Sequence, residues 1–192
     1  MVTCKCTTFS SLLLLLFLLS AANLVPATSS DGAYSYLLSS KPVSHTTGEK
    51  QSHFRFYWHD IFTGPNPTSV RVAEAPGTKN SSTFFGAVVM IDDALTIGPD
   101  LNTKLVGRAQ GLYAGAGLKK IEFLMAMNFV LTDGIYNGST IAIIGHNEVL
   151  NEVREMSIVG GTGLFRLSRG YVQARTFANN DPVEYNVFIN HY

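Results

Sequence analysis

The clearest candidate for proton-transfer chemistry is Asp60, which ends a predicted strand of alternating aromatic and polar residues. Successive side chains of a strand point to opposite faces. The aromatic residues on the face of Asp60 are Phe54, Phe56 and Trp58. If this face lines the interior, the carboxyl group lies in an apolar cavity of low dielectric constant, where an acid or base can serve catalysis. The alternative is a structural role as a turn-capping residue before Gly64.

Two further polar side chains, Arg154 and Tyr113, have groups that can bind a ligand, although their spacing alone does not place them in a site. The guanidinium group of arginine is planar, always charged and able to stack on aromatic rings. The phenol of tyrosine combines an apolar ring with a hydrogen-bond donor. The alternatives are a solvated Arg154 that pairs with Glu152 or Glu155, and a core tyrosine whose hydroxyl is satisfied by the protein.

Several other classes of site are disfavoured by the pattern of residues. The histidines lack the spacing of metal ligands, and we expect no metal and no other cofactor. No Gly-x-Ser-x-Gly sequence is present, which argues against a hydrolase. The glycine-rich segment Gly160–Gly163 lacks the lysine and the following helix of a phosphate-binding loop, so we predict a turn there. The histidines are His45, His53, His59, His146 and His191.

The composition favours one compact domain and argues against a nucleic-acid partner. The chain has 192 residues, of which 46% are hydrophobic and 15% are charged. This balance is richer in core-forming side chains than that of a disordered chain. The formal net charge is zero and no basic block is present, so the electrostatic footprint of phosphate binding is missing.

The N-terminal segment predicts export from the cell. An unbroken apolar run, Leu12–Leu19, is preceded by Lys5 and followed by small residues at positions 20–22. This order is typical of a cleaved signal peptide, and the run is too short to span a bilayer comfortably. The alternative is a buried N-terminal helix. We predict a signal peptide at residues 1–22, secretion, and no membrane association of the mature protein.

The predicted signal peptide also contains both cysteines, Cys4 and Cys6. The mature protein would therefore have no disulfide and no cysteine-based metal site, and its stability would come from packing. Two Asn-x-Ser triplets begin at Asn80 and Asn137 in polar, turn-like stretches. In a secreted chain both are candidates for glycosylation.

The rest of the chain has the pattern of an all-β fold. Residues 23–52 are rich in Ser, Thr, Pro and Lys, and we predict a flexible leader there. From His53 to Tyr192, strand-like runs alternate with turns, and nothing indicates a long amphipathic helix. Short connections and about eight strands favour a closed antiparallel barrel, although a sandwich has the same periodicity. The predicted strands are His53–Phe62, Val70–Ala75, Thr83–Ile91, Leu105–Ala114, Lys120–Leu131, Thr140–Ile144, Val153–Val159, Leu164–Phe177 and Val183–His191.

Five segments in order resemble the plant dirigent family, and together they cover nearly the whole predicted mature chain. They are HFRFYWHDIFTG, FGAVVMIDDALTIGPD, VGRAQGLYAGAG, VREMSIVGGTGLFRLSRGYVQARTF and the terminal VEYNVFINHY. The resemblance implies an eight-stranded antiparallel β-barrel of the type that allene oxide cyclase also has, and secretion to the apoplast. It also implies a homo-oligomer, with a trimer favoured and a dimer possible. The faces of Ile121 to Leu131 and Val183 to Ile189 are our candidates for subunit contact.

The resemblance implies one of two functions for small phenolic substrates. Lignan-forming dirigents guide the coupling of monolignol radicals, such as those of coniferyl alcohol, without oxidising them. A separate oxidase or laccase makes the radicals and is the functional partner. Members that resemble pterocarpan synthases instead dehydrate an isoflavanol and close a ring. Both routes pass through an electron-poor quinone methide.

The resemblance also assigns roles to the candidate residues. Asp60 becomes the pocket acid that moves a proton to or from a quinone methide oxygen or a phenol. Arg154 holds a phenol or carboxylate, and Tyr113 donates a hydrogen bond to a substrate oxygen. Phe56 and Trp58 supply aromatic walls to the substrate.

One position departs from the lignan-forming pattern. Those members carry an aspartate seven residues before the arginine, where this chain has Asn147. An amide cannot exchange a proton as a carboxylate does, so the departure favours the branch that includes pterocarpan synthases. We still expect Asn147 to contact substrate. The neighbouring His146 is an alternative proton carrier, but alternation puts it on the opposite face, and we predict an exposed loop histidine.

Overall fold

The computed structural model describes residues 37–42, 48–177 and 182–192, all within one compact unit from Ala33 to Tyr192. The predicted signal peptide lies outside these residues. The described residues contain ten β-strands, three short 3-10 turns and no α-helix, and none of their helical segments has the length and apolar character of a membrane span. The strands are β1 (Leu37–Pro42), β2 (Lys50–His59), β3 (Ser69–Glu74), β4 (Ala87–Thr96), β5 (Leu105–Gly115), β6 (Glu122–Leu131), β7 (Thr140–Glu148), β8 (Arg154–Thr162), β9 (Arg169–Thr176) and β10 (Val183–His191).

Eight of the strands form a closed antiparallel barrel. The hydrogen-bonded order is β2, β10, β9, β8, β7, β6, β5 and β4, and β4 pairs back to β2. This closing ladder is short and consists of Tyr57 opposite Thr96, Trp58 opposite Leu95, and His59 opposite Ala94. The predicted barrel is confirmed, and the sandwich is excluded because its two sheets would have unpaired edges.

The barrel begins earlier in the chain than the predicted boundary at His53. β2 starts at Lys50, and β1 pairs with it from within the range that we predicted as a flexible leader. β10 pairs with β2 as far as His191 opposite Lys50, so the backbone of the last strand extends the ladder into residues of loop-like composition. Composition missed this because a ladder is satisfied by backbone groups of any residue.

Two predicted strands start later than expected. The strand predicted from Thr83 begins at Ala87, because Phe84 has a positive φ of 59° that breaks the extended chain. The strand predicted from Leu164 begins at Arg169, because a 3-10 turn occupies the first part of that run. Both segments are apolar enough to imitate strands in the sequence.

Inward-facing residues of the barrel strands form one hydrophobic core. On β6, for example, Met125, Met127 and Phe129 are at most 3% exposed and belong to this core, as do Tyr185 and Val187 on β10. The faces that we predicted for subunit contact therefore fill the barrel, and that prediction was wrong. Alternation separates the two faces of a strand but does not say which one faces inward.

One end of the barrel is closed by aromatic rings. Tyr136 and Phe165, each in a 3-10 turn, stack with their ring centroids 5.1 Å apart. The ring of Phe54 packs edge-on against both. His191 packs against Phe165 at 5.0 Å, and its Nε2 lies 2.8 Å from the Oγ of Ser52. We call this group the closed end.

Candidate functional site

A cavity of about 340 Å³ lies at the other end of the barrel, where β2 ends and β8 begins. We call it the polar cavity. Its volume falls within the range of about 300–1,000 Å³ that holds small organic ligands. Five predicted site residues line it: Trp58, Asp60, Tyr113, Asn147 and Arg154. The other lining residues are Phe123, Met125, Val149, Leu150, Thr176 and Val183.

One oxygen of the Asp60 carboxyl group accepts a hydrogen bond, and the other accepts none from the described residues. The hydroxyl of Tyr113 donates to Asp60 Oδ2 at 3.0 Å. Asp60 Oδ1 is buried and has no hydrogen-bond partner among the described residues. Burial raises the pKa of Tyr113, and the charge and hydrogen bond of Asp60 raise it further, so the tyrosine stays a donor. The free Oδ1 can accept a proton from a ligand or return it.

Arg154 presents a buried positive charge to the same cavity. Its side chain is 5% exposed, and its Nε donates to Asn147 Oδ1 at 3.3 Å. One terminal nitrogen donates to Thr176 Oγ1 at 3.0 Å and to the carbonyl of Asn151 at 3.4 Å. Burial lowers the pKa of Arg154, but an arginine keeps its proton under any physiological condition. Because these acceptors are all neutral, the charge is available to an electron-rich ligand oxygen.

The alternative pairing predicted for Arg154 is wrong. Glu152 lies 3.5 Å from Arg175, and Glu155 accepts a bond from Gln173 at 3.4 Å. Both glutamates are exposed: Glu152 lies in the connection before β8, and Glu155 follows Arg154 in β8 and therefore faces the opposite side. His146 is exposed as predicted, on the face opposite the buried Asn147, but it lies in β7 and not in a loop.

Trp58 is anchored from behind the cavity wall by a residue that sequence reasoning missed. Its indole Nε1 donates to Asp93 Oδ2 at 2.8 Å. Asp93 is completely buried, and its other oxygen accepts bonds from the hydroxyls of Thr68 and Ser69. Burial raises the pKa of Asp93 to about 7, and the nearby charge of Asp60 also raises it. The alternation Val89, Ile91, Asp93, Leu95 in β4 is the signal that identifies an acid on an apolar face.

A second, more apolar cavity of about 260 Å³ adjoins the polar cavity. The two share Tyr113 and Phe123 as a common wall. Phe84 borders the second cavity, and its carbonyl oxygen would lie 2.0 Å from a Cβ atom at Gly115. Only glycine permits this close approach of backbone at position 115. The remaining lining residues are Phe62, Arg71, Ala87 and Val89.

Comparison with known proteins identifies the family. The sequence profile of the Dirigent-like protein family matches residues 51–190, which is nearly the whole barrel. This chain belongs to the dirigent family. The dirigent barrel is therefore the scaffold on which both cavities are built.

Several dirigent relatives are similar over most of their length. Dirigent protein 11 of Arabidopsis thaliana is 53% identical over 161 residues, which cover 79% of this chain and 83% of the relative. Pterocarpan synthase 1 of Glycyrrhiza echinata is 45% identical over 195 residues, covering 98% and 99%. The solved structure of the pterocarpan synthase dirigent protein GePTS1 has a TM-score of 0.70 at 46% identity, covering 75% of this chain and 86% of that one.

Two sequence predictions about the dirigent site need correction. Phe56 is completely buried and packs against Phe129 at 5.9 Å instead of lining the polar cavity. It faces inward as expected but lies two residues deeper than Trp58. The turn predicted at Gly160–Gly163 is also wrong, because positions 160–162 are the end of β8 and only Gly163 belongs to a 3-10 turn, at the opposite end of the strand from Arg154. Alternation gives the face of a residue but not its depth along the barrel.

The remaining sequence predictions concern modification and metal binding. Asn80 and Asn137 are both exposed, Asn80 in a 3-10 turn and Asn137 directly after one. Their geometry leaves room for glycans, and their glycosylation stays a prediction. No group of three or more His, Cys, Asp or Glu side chains is arranged as a metal site within the described ranges.

Proposed function

We propose that this dirigent-family protein binds phenoxy radicals of monolignols and imposes one stereochemistry on their coupling, without oxidising them itself. The observation that carries the proposal is the pair of adjoining cavities with Tyr113 and Phe123 as their common wall. A phenolic ring in each cavity contacts this wall, which fixes the orientation of both rings, and their reactive side chains must meet past its edge for a bond to form. An external laccase or oxidase supplies the radicals.

The coupling step needs orientation more than acid or base. Two radicals form one carbon–carbon bond, their unpaired electrons become the bonding pair, and no further oxidant is required. Holding both rings in one geometry selects which faces of the radicals meet and reduces the entropic cost of bringing them together. The aromatic wall and the buried Arg154 supply that geometry, the first by ring packing and the second by binding a phenolic oxygen.

Ring closure after coupling requires a proton to move. A side-chain hydroxyl adds to the quinone methide carbon, and the quinone methide oxygen becomes a phenol again. The hydroxyl therefore loses one proton and the phenol oxygen gains one. Asp60 carries this proton on its unpartnered Oδ1, while Arg154 stabilises the negative charge that develops on the oxygen.

A second candidate is a pterocarpan-synthase-like dehydration of an isoflavanol. It is favoured by the similarity to the solved pterocarpan synthase structure at 46% identity and by Asn147 in place of a second cavity acid. In this reaction the phenol loses a proton, the aliphatic hydroxyl leaves as water and a quinone methide forms. A second phenolic hydroxyl then adds to the quinone methide carbon and loses its proton, and the quinone methide oxygen gains one, so the net change is the loss of one water. Asp60 would protonate the leaving hydroxyl, which makes the protein a carbon–oxygen lyase.

One experiment separates the two candidates. Purified protein is incubated with coniferyl alcohol and laccase, and separately with an isoflavanol and no oxidant, and both products are analysed by chiral chromatography. Enantiomeric excess only with laccase supports the coupling guide. Acceleration without oxidant supports the lyase. Racemic, unaccelerated product in both arms contradicts the proposed function.

We further propose that the mature protein is secreted to the apoplast as a homotrimer, with a dimer as the alternative. The outer surface offers an apolar band across β4 to β7, where Met90, Leu124 and Ile144 are each 44–45% exposed. Leu112 and Ala126 connect Met90 and Ile144 in the strand register. Charged substitution of Met90 and Ile144 is expected to produce monomers in sedimentation. A wild-type monomer at micromolar concentration would contradict the assembly.

A further inference from the structure

Asp93 is a buried acid whose contacts connect the core of the barrel to the wall of the polar cavity. Its Oδ2 accepts the Trp58 indole N–H at 2.8 Å, and Trp58 lines the cavity. Its Oδ1 accepts the hydroxyl of Thr68 and, at 3.3 Å, that of Ser69. These three donors satisfy a carboxylate, which would otherwise be very unfavourable at a completely buried position.

The titratable groups that face Asp93 are acidic or neutral. Asp60 follows β2, Tyr113 lies on β5 and Tyr185 lies on β10, and each interacts electrostatically with Asp93. The hydroxyl of Tyr185 is buried with no hydrogen-bond partner among the described residues. The cation of the cavity, Arg154, interacts with Tyr185. Asp93 and Asp60 therefore form a pair of carboxyl groups. Asp60 faces the cavity, and Asp93 lies deeper in the barrel.

We propose that Asp93 is a positioning residue of the phenolic site, which holds the Trp58 indole in place as a wall of the polar cavity. This inference rests on the proposed function for the identity of the ligand, but not for the link between Asp93 and Trp58. Asp93 does not touch the ligand and acts through the tryptophan. Burial raises its pKa to about 7, so its charge, and with it the strength of the indole bond, changes within the physiological range.

The chain contains a single tryptophan, so intrinsic fluorescence at the indole band reports on Trp58 alone. We expect the emission of the wild-type mature protein to titrate with a midpoint near pH 7. Asp93→Asn keeps a carbonyl acceptor for the indole but cannot ionise, and it should abolish this titration. Asp60→Asn, which removes the other nearby acid, should retain it. An unchanged titration in Asp93→Asn, or none in the wild type, would overturn the proposal.

A second variant covers the case in which Asp93→Asn does not fold. Thr68→Val removes a hydroxyl that stabilises the ionised form of Asp93. The midpoint of the fluorescence titration should then rise by about one pH unit. A midpoint equal to that of the wild type would contradict the assignment of the titration to Asp93.

Ligand binding tests the positioning role itself. Quenching of Trp58 fluorescence by coniferyl alcohol gives the dissociation constant. Asp93→Ala removes the anchor and should weaken binding about tenfold, whereas Asp93→Asn should restore it at pH 6. Asp92→Ala is the matched control, because this neighbour lies on the outer face and pairs with Arg108.

Failure of the proposed function and failure of the positioning role of Asp93 give different results. If wild-type protein binds neither coniferyl alcohol nor an isoflavanol, the proposed function fails, while the pH titration still decides the link between Asp93 and Trp58. If the wild type binds and Asp93→Ala binds equally well, the positioning role fails and the proposed function stands.

Discussion

The two ends of the barrel are built from the same strands but have opposite characters. At the closed end, Tyr136 and Phe165 fill the opening with stacked rings, and the buried His191 is hydrogen-bonded to Ser52. At the cavity end, aromatic rings line a space instead of filling it, and Asp60 Oδ1 has no partner among the described residues. Because Asp60 lines this space, a ligand in the cavity can reach its Oδ1, whereas at the closed end the rings pack directly against one another.

The difference originates in the connections between strands. The β6–β7 and β8–β9 connections each contain a 3-10 turn that inserts an aromatic ring into the closed end. The β7–β8 connection, at the other end, leaves Asn147 and Arg154 at the cavity. The closed end therefore consists of packed rings and the cavity end of polar groups around a space, and substitutions at the two ends should affect different measurements.

The largest effect is expected at the closed end. Phe165→Ala removes a completely buried ring and should lower the free energy of unfolding by about 3–5 kcal/mol. The measurement is chemical denaturation followed by circular dichroism. Leu167→Ala, two residues away and 77% exposed, is the control and should change stability little. If Phe165→Ala lowers the free energy of unfolding no more than Leu167→Ala does, the closed end has no special role in stability.

At the cavity end, Asp60→Ala should affect chemistry while leaving the barrel folded. Proton transfer by a positioned side chain contributes about 100-fold or more to a rate, so product should approach a racemate or the lyase rate should fall by at least that factor. Chiral chromatography and unfolding curves of the same sample provide both readouts. Full selectivity in a folded Asp60→Ala protein would rule out Asp60 as the proton carrier.

The pH dependence of stability provides a third comparison. The folded pKa of Asp93 is about 7 and the unfolded value is near 3.9, so the unfolded chain releases the proton first as pH rises. Stability should fall from about pH 4 to pH 7 and then level off, by an amount on the order of 2–4 kcal/mol. Asp93→Asn should remove this slope in pH-dependent denaturation. Equal slopes in both proteins would contradict the raised pKa.

His191 at the closed end also makes stability depend on pH, so the wild-type pH–stability curve alone does not isolate Asp93. Burial lowers the pKa of His191, so its contribution to stability is lost as pH falls through the ordinary histidine range. That slope has the opposite sign and is present in both proteins. The difference between wild type and Asp93→Asn therefore isolates Asp93.

The smallest effect is expected from Arg154→Lys. Lysine keeps the charge but lacks the planar fork that bonds Asn147 and Thr176 together. Phenol binding measured by Trp58 quenching should weaken about tenfold. Arg175→Lys, an exposed arginine that pairs with Glu152, is the control. If both substitutions have the same effect, Arg154 has no special role in the cavity.

Sequence reasoning predicted the architecture and most of the site because both depend on alternation. Period-two patterning placed Trp58 and Asp60 on one face, the family resemblance added Tyr113, and the barrel brings the three together. The pattern has no information on depth, so it could not separate Phe56 in the core from Trp58 at the cavity. It also could not show that Asp93 has buried donors on other strands.

The common wall of Tyr113 and Phe123 has a consequence for how such a site diversifies over evolutionary time. A substitution in this wall reshapes both cavities at once, which under the proposed function changes the fit of both phenolic rings together. A substitution at Phe84, which borders only the apolar cavity, reshapes that cavity and leaves the polar cavity unchanged. In duplicated genes for this barrel, we therefore expect substitutions at Phe84 to change substrate preference in small steps. Substitutions of Tyr113 or Phe123 should change it in large steps.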